Sequence, residues 1–343
     1  MDRPTSAFDQ RAYPPQKIAA IVAELAEQGV AAAAALEGTG IDASQLRLPA
    51  TRVSYRQTDA VLRNALRLTR DPAMALRAGG RMHVTAHGLY GYALLSSGSY
   101  ADAIDFAARY APVMGPLVQA SYVRDGATMY WECMPLHWPD PMQQTYRFAV
   151  EFALSAQHTM ARDMAGPEFR FRAVHLAYAA PRHARAYLNR FGCPVRFGQT
   201  ANRLLFDAAW LDRPFTLADP VSHAAGREMC EKLLAEIEGG SGLSGEIRRA
   251  LLEQPGRFPT VEAMARRLAL HPRALRRRLE AEGSAYRDIL ADVRMRLAIE
   301  YLRSTPMTNE DIASRLGYSD AANFRHALAR WSGGKTPSDY RRG

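Results

Sequence analysis

One pattern, met twice in the last third of the chain, restricts its fold more than any other. Thr260 precedes an apolar stripe of Val261, Met264, Ala265 and Leu268. That is the spacing of one face of a helix, and a threonine can cap its start. A short turn at Ala269–His271 follows. Pro272 then stands where a second helix would begin, a place that suits its fixed φ and missing N–H. On this second helix Leu275 and Leu279 are four apart and face inward, while Arg273, Arg276 and Arg277 share the opposite side. Gly283 is suited to end it in a left-handed cap. The layout recurs at Thr308-Asn-Glu-Asp311, a capping box in its aspartate form. Ile312, Ala313 and Leu316 make the stripe, Gly317 allows the turn and Ser319 caps the next helix. That helix turns Phe324, Leu328 and Trp331 inward and leaves Asn323, Arg325 and His326 on or near its outer face.

Between the two units, from Ser284 to about Arg303, apolar residues repeat at helical spacing: Ile289, Leu290, Val293, Leu297, Tyr301 and Leu302. At 1.5 Å per residue, about 18 residues span roughly 27 Å. Such a rod can hold two outer helices near one turn of B-form DNA apart, roughly 34 Å. Charge agrees with this. Residues 241–343 hold 19 Lys and Arg against 12 Asp and Glu, whereas residues 1–240 hold 25 against 23. A basic module joined to a near-neutral one suggests a part that binds a polyanion and a part that does something else. Charge alone favours nucleic acid only modestly, because nearly all the basic residues are Arg and that is also what compositional bias produces.

The stretch Glu238-Gly-Gly-Ser-Gly-Leu-Ser-Gly245 has the composition of a flexible linker. It divides the chain into a domain at 1–238, a linker at 239–245 and a domain at 246–343. In the first domain, spacing predicts helices over 17–28, 57–68, 99–110, 142–164, 181–190 and 219–237. Strands are expected at 117–123 and 128–134, joined by an Asp125-Gly126 turn, with two more at 168–178 and 203–206. This reads as an α+β domain without repeats, followed by an all-α domain, so the chain as a whole is mainly α.

Cys133, Cys193 and Cys230 show no metal-ligand or disulfide spacing. No metal and no cofactor are therefore expected, and a reducing cytoplasm is the expected compartment. No signal-peptide pattern is read at the start. The densest apolar run, Val30–Leu36, is far too short for a bilayer.

From about Ser244 to Arg342 the chain resembles the DNA-binding domain of AraC/XylS-type regulators. The resemblance is carried by Ala265-Arg-Arg-Leu268, Leu275-Arg-Arg-Arg-Leu279, Tyr301-Leu302, Asp311-Ile-Ala313, Leu316-Gly-Tyr-Ser319, Phe324, Arg330-Trp331 and Thr336-Pro-Ser-Asp-Tyr-Arg341. It implies base contacts from Arg273, Arg276 and Arg277 in the first unit and from Ala322, Asn323 and His326 in the second, with Arg325 beside them. The chain departs from the family where it has His326 in place of the usual Arg, and Ala269 and His271 where Gly and Ser are common. Histidine cannot make the two-pronged contact that Arg makes to guanine, so the first unit is expected to carry most of the specificity. Ala269 and His271 are expected to weaken the first turn and its cap without abolishing them.

Residues of about 25–210 resemble the arabinose-binding-like N-terminal domain of one branch of these regulators, which includes regulators of ornithine utilisation and of virulence. His87-Gly-Leu-Tyr-Gly-Tyr-Ala-Leu-Leu-Ser-Ser97, Pro194-Val-Arg-Phe-Gly198 and Leu204–Leu211 carry that likeness. It implies a sensor for a small molecule. Aromatic and polar candidates for its pocket are His87, Tyr90, Tyr92, Trp131, Tyr146 and His158, each of which is more often a core residue than a ligand contact.

The partners that follow are double-stranded DNA, a small-molecule effector and a second copy of the chain. RNA polymerase joins them only if the chain is an activator. Two other readings stay open at this point. One is a constitutive DNA binder. The other, an alkyl-transfer repair enzyme on the same module, fares poorly without a four-cysteine zinc site, and no other catalytic pattern is present.

Overall fold

A computed structural model describes residues 8–239, 243–253, 256, 258–282, 284–305, 307–331 and 336–341. The chain separates into two compact units that divide between Leu233 and Leu234. In order, the first unit contains α1 (Gln16–Glu27), α2 (Ala32–Ala35), α3 (Tyr55–Leu68), α4 (Met74–Gly80), α5 (Gly88–Leu95) and α6 (Tyr100–Tyr110). Then come β1 (Val118–Asp125), β2 (Thr128–Pro135), α7 (Gln144–Ala165), β3 (Ala173–His175), α8 (Ala184–Phe191), β4 (Val195–Arg196) and β5 (Asn202–Asp207). Helix α9 (Pro220–Gly239) contains the division point.

The five strands make one sheet in the order β1-β2-β5-β3-β4. All pairs are antiparallel except β3 with β4. The β1–β2 hairpin turns at Gly126, which takes the positive φ that the Asp125-Gly126 pair led one to expect. Alternation sorts β2 cleanly: Met129, Trp131 and Cys133 are buried, while Tyr130 and Glu132 are half-buried. Helix α7 is the central element and buries most of its residues, packing on α4, α3 and β2.

The expected strand over 168–178 is corrected to three residues, Ala173–His175. Phe169 and Phe171 do alternate into the core, and their rings meet edge to face at 4.9 Å. Their backbone does not run as a strand, because Phe169 N–H turns back to the Gly166 carbonyl. Alternation reported burial there and not pairing.

The second unit is all helical: α10 (Leu243–Leu252), α11 (Val261–Arg267), α12 (Pro272–Ala281), α13 (Tyr286–Ser304), α14 (Asn309–Arg315), α15 (Ala321–Trp331) and α16 (Pro337–Arg341). Its core joins Ile247 and Leu251 of α10, Met264 and Ala265 of α11, and Leu275 and Leu279 of α12. Ile289, Val293 and Leu302 of α13 join Ile312, Leu316, Phe324 and Leu328 beyond it. The linker expectation of 239–245 needs correction. Residues 240–242 lie outside the described residues, but Leu243, Ser244 and Gly245 are the first turn of α10. The reason is a cap supplied from elsewhere: the Glu282 carboxylate accepts the N–H groups of Leu243 and Ser244 at 2.7 and 2.8 Å. The expected Gly283 cap and the inward Trp331 side chain lie outside the described residues.

The two helix-turn-helix turns are built alike, and one of them is strained. Ala269 N–H bonds Arg266 and Leu270 N–H bonds Ala265; Gly317 N–H bonds Ser314 and Tyr318 N–H bonds Ala313. The geometry requires a left-handed residue at each turn, with φ of +52° at Ala269 and +71° at Gly317. Glycine adopts this freely, whereas alanine costs about 1–2 kcal/mol. Allowing for the extra freedom of glycine in the unfolded chain, Ala269→Gly is expected to stabilise the second unit by about 0.5–1 kcal/mol. A urea midpoint that fell or stayed put would show that the strain is absent.

Candidate nucleic-acid interface and ligand cavity

Helix α12 presents its arginines because its other side is locked into the core. Leu275 and Leu279 are buried, whereas Arg273, Arg276 and Arg277 are exposed. Pro272 opens the helix and His271 caps it, Nδ1 accepting the Arg273 N–H at 3.3 Å. The cap that histidine was expected to weaken is thus present but long. Arg276 is engaged with Glu262 of α11 at 2.8 Å, both side chains about half exposed. Such a pair contributes little, about 0–1 kcal/mol, so Arg276 can exchange Glu262 for a stronger partner.

Helix α15 is set by Phe324 and Leu328, both buried, and exposes Ala322, Asn323, Arg325 and His326. Its cap is Asp320 and not the expected Ser319. The Asp320 carboxylate accepts the Asn323 N–H at 2.7 Å, while Ser319 Oγ donates to Asp320 at 3.0 Å. A full negative charge suits the positive end of a helix better than a hydroxyl does. Asn323 Nδ2 donates to Ser319 and Asp320 at 2.7 and 3.0 Å, so this side chain must exchange local bonds before it can read a base. Ala322 offers only apolar contact, which among bases suits the thymine methyl. The outer face of α15 therefore carries fewer ready donors than that of α12, and an aspartate stands at its start.

Thr260 and Thr308 cap α11 and α14 as their sequences indicate, and the Thr308–Asp311 box has both of its bonds. Between the units α13 spans 19 residues, about 28 Å of helix.

In the first unit, two of the six pocket candidates come together. His87 and Tyr90 line a cavity of about 110 Å³ with Lys17 of α1, Met82, Met114, Leu117, Phe152, Gln157 and Met160. His87 ends a tight turn at Val84–His87 that leads into α5. A Cβ at Gly91 would lie 1.8 Å from the Val84 carbonyl oxygen, so only glycine lets α5 fold against that turn. His87 is 8% exposed, and neither ring nitrogen has a hydrogen-bond partner. Burial, with the Lys17 charge adding to it, pushes its pKa down to about 3, so the ring is neutral at pH 7. Lys17 is partly buried, and its ammonium donates to the Met114 carbonyl. Burial lowers this group to about 8.

The other four candidates lie elsewhere. Tyr92 is exposed and its hydroxyl meets Ser222 Oγ at 2.8 Å. Trp131 is buried on β2, opposite Tyr122. Tyr146 accepts from Asn202 Nδ2 at 2.8 Å. His158 sits among Phe171 and Phe191, and burial with nearby Arg190 brings it down to about 3. Lys17 and Gln157 escaped the sequence reading. A signal for Lys17 existed, since it is one of three lysines in the chain and adjoins the apolar run of α1.

A larger groove of about 530 Å³ lies between α6 and the start of α9. Its Arg109 is already paired with Glu231 at 2.6 Å, and among the described residues no buried unpartnered polar atom lines it. The smaller cavity therefore has the stronger claim to a ligand. Among the described residues there is no cluster that could hold a metal ion, and no helix long and apolar enough to cross a membrane. The three cysteines are buried and free.

Comparison with known proteins bears on both units. The family described as the arabinose-binding domain of AraC transcription regulator, N-term, matches residues 29–215, and a helix-turn-helix domain family matches residues 264–343. The ornithine utilization regulator of Pseudomonas aeruginosa is 36% identical over 317 residues, 92% of each chain. The HTH-type transcriptional regulator VirS of Mycobacterium tuberculosis is 30% identical over 234 residues, 68% of this chain and 66% of that one. The crystal structure of the transcriptional regulator CdpR from Pseudomonas aeruginosa aligns with 96% of this chain and 98% of its own, at 24% identity and a TM-score of 0.49.

Proposed function

This chain belongs to the AraC-type transcription regulators that carry an arabinose-binding-type N-terminal domain, and from that premise we propose how its two units divide the work. It is a DNA-binding regulator and not an enzyme. In the proposed reading α12 and α15 enter adjacent major grooves, with Arg273, Arg276 and Arg277 reading bases and α15 adding weaker readout and phosphate contacts. The observation that carries this is the triple-arginine face of α12, exposed opposite a fully buried Leu275–Leu279 anchor.

The first unit binds a small-molecule effector, and occupancy biases the DNA affinity of the second. The buried, unpartnered His87 in a cavity favours this over a constitutive binder, since a purely structural core gains nothing from an orphaned imidazole. The working form is a homodimer held through the first unit, in the cytoplasm, with RNA polymerase a partner if it activates. These points rest on the family and on the expectation from sequence.

Footprinting on a site selected from a random DNA pool tests the core of the reading. One protomer is expected to protect two adjacent major grooves on one face of the duplex. Protection of a single groove would remove α15 from the interface. Sedimentation of the full chain with and without DNA tests the dimer.

A further inference from the structure

We propose that the cavity beside His87 takes a small, mostly apolar monocarboxylic acid, its carboxylate held by the Lys17 ammonium and the His87 N–H. This deepens the effector reading above and rests on it.

The lining fixes the charge of the occupant. Lys17 is the single charged residue around the cavity, and no Asp or Glu lines it. Among the described residues no carboxylate pairs with Lys17, on whose charge burial alone acts. Its one bond, to the Met114 carbonyl, leaves two of three ammonium donors. A buried cation without a counter-ion is costly, and an anionic ligand removes that cost. At neutral pH Lys17 remains mostly protonated and His87 neutral, so the site offers one positive charge and not two. A monoanion matches it, and a doubly charged phosphate does not.

The lining also fixes the rest of the molecule. Met82, Met114, Leu117, Val118, Phe152 and Met160 offer apolar contact and no acceptor for an ammonium. Gln157 and the second nitrogen of His87 can accept, but no carboxylate lines the cavity and Lys17 repels a second cation, so amino acids and diamines, ornithine among them, are expected to bind far more weakly than a monocarboxylate. The cavity of about 110 Å³ is somewhat smaller than the roughly 150 Å³ hole that accepts benzene. That limits the occupant to a short-chain acid, on the order of four to six non-hydrogen atoms. His87 keeps one nitrogen as an acceptor after donating the other proton, so a hydroxyl on the same acid would add a bond.

The test uses the full chain in a carboxylate-free buffer and follows calorimetry and thermal shift. Butyrate and isobutyrate are the probes, with butyramide, isobutyramide, ornithine and inorganic phosphate beside them. The acids are expected to bind and raise the melting temperature by mass action, and the neutral amides to bind at least about tenfold more weakly. Ornithine and phosphate are expected to give no shift. Lys17→Met is expected to bring the acids down to the level of the amides, while Lys17→Arg retains part of the preference. The acid–amide contrast on the unaltered chain keeps the test intact if Lys17→Met fails to fold. Equal binding of acid and amide overturns the proposal, as does unchanged acid binding by a folded Lys17→Met chain. If ornithine or another cation shifts the chain and the acids do not, the carboxylate assignment fails and the effector reading stands. If neither these probes nor a broad metabolite panel shifts it, the effector reading fails with it.

Discussion

Replacing Arg273, Arg276 and Arg277 together by alanine is expected to weaken binding to the selected DNA site on the order of a thousandfold, while leaving the second unit folded. Each contact to a base edge contributes about 1–3 kcal/mol of discrimination, so Arg276→Ala and Arg277→Ala singly should cost that much and relax base preference at one position each. All three side chains are exposed, and substitutions at such positions usually move stability by less than about 0.5 kcal/mol. Glu262 supplies an internal control. Its pair with Arg276 must break if that arginine turns to DNA, so Glu262→Ala should leave site affinity unchanged or raise it. Alanine at His326 or Asn323 should cost less than at any of the three arginines, because one is a short neutral ring and the other is tied to Ser319 and Asp320. Fluorescence anisotropy against the selected site and against random DNA reads all of this. Equal losses on both DNAs would mean that the arginines touch phosphate only. A larger loss at α15 than at α12 would reverse the division of labour.

The helix-turn-helix units were legible because their determinants are local. Threonine caps, a proline at the first helical position, and stripes at three- and four-residue spacing act within one or two turns of chain. Even the strain at Ala269 could be anticipated, since it shows wherever a turn calls for glycine and finds alanine. Where two neighbours both suit a cap, sequence chose wrongly: Ser319 and Asp320 compete, and the charged one prevails. The start of α10 was hidden for a different reason. Its cap, Glu282, comes from 38 or 39 residues further along, and the Gly/Ser composition around 239–245 spoke only for flexibility. The cavity was less legible still. Lys17, His87 and Gln157 come from α1, a turn and α7, and each stands in an apolar neighbourhood that reads as core. Only the fold places the cation beside the imidazole. The chemistry of the cavity is therefore a property of tertiary packing, whereas the arginine face is a property of one helix.

Mild acid is expected to destabilise the first unit through its buried histidines. His87 and His158 are both buried and both pushed down to about 3, mainly by desolvation, with Lys17 near the first and Arg190, Arg162 and Arg170 near the second. In the unfolded chain each titrates near 6.5, so between pH 6.5 and 3 the unfolded state holds more protons. Stability therefore falls as pH drops through that window, and is retained above it. At pH 4.5 each histidine should remove about 2–3 kcal/mol, a large share of the roughly 5–15 kcal/mol that holds a domain together. His137 and His175, also shifted downward by burial, act in the same direction. The exposed carboxylates with lowered pKa, such as Asp207 and Asp219, titrate below 3.8 and leave the upper window to the histidines. Urea unfolding of the full chain, followed by circular dichroism at steps from pH 7 to 4.5, should show the decline. His87→Gln should reduce its slope by up to one proton, about 1.4 kcal/mol per pH unit. A bound monocarboxylate should do the opposite at Lys17 and hold the unit together further into acid. A slope that is the same in His87→Gln as in the unaltered chain would mean that His87 takes up its proton as readily in the fold as in the unfolded chain, and the burial that keeps the ring neutral into acid would have to be given up.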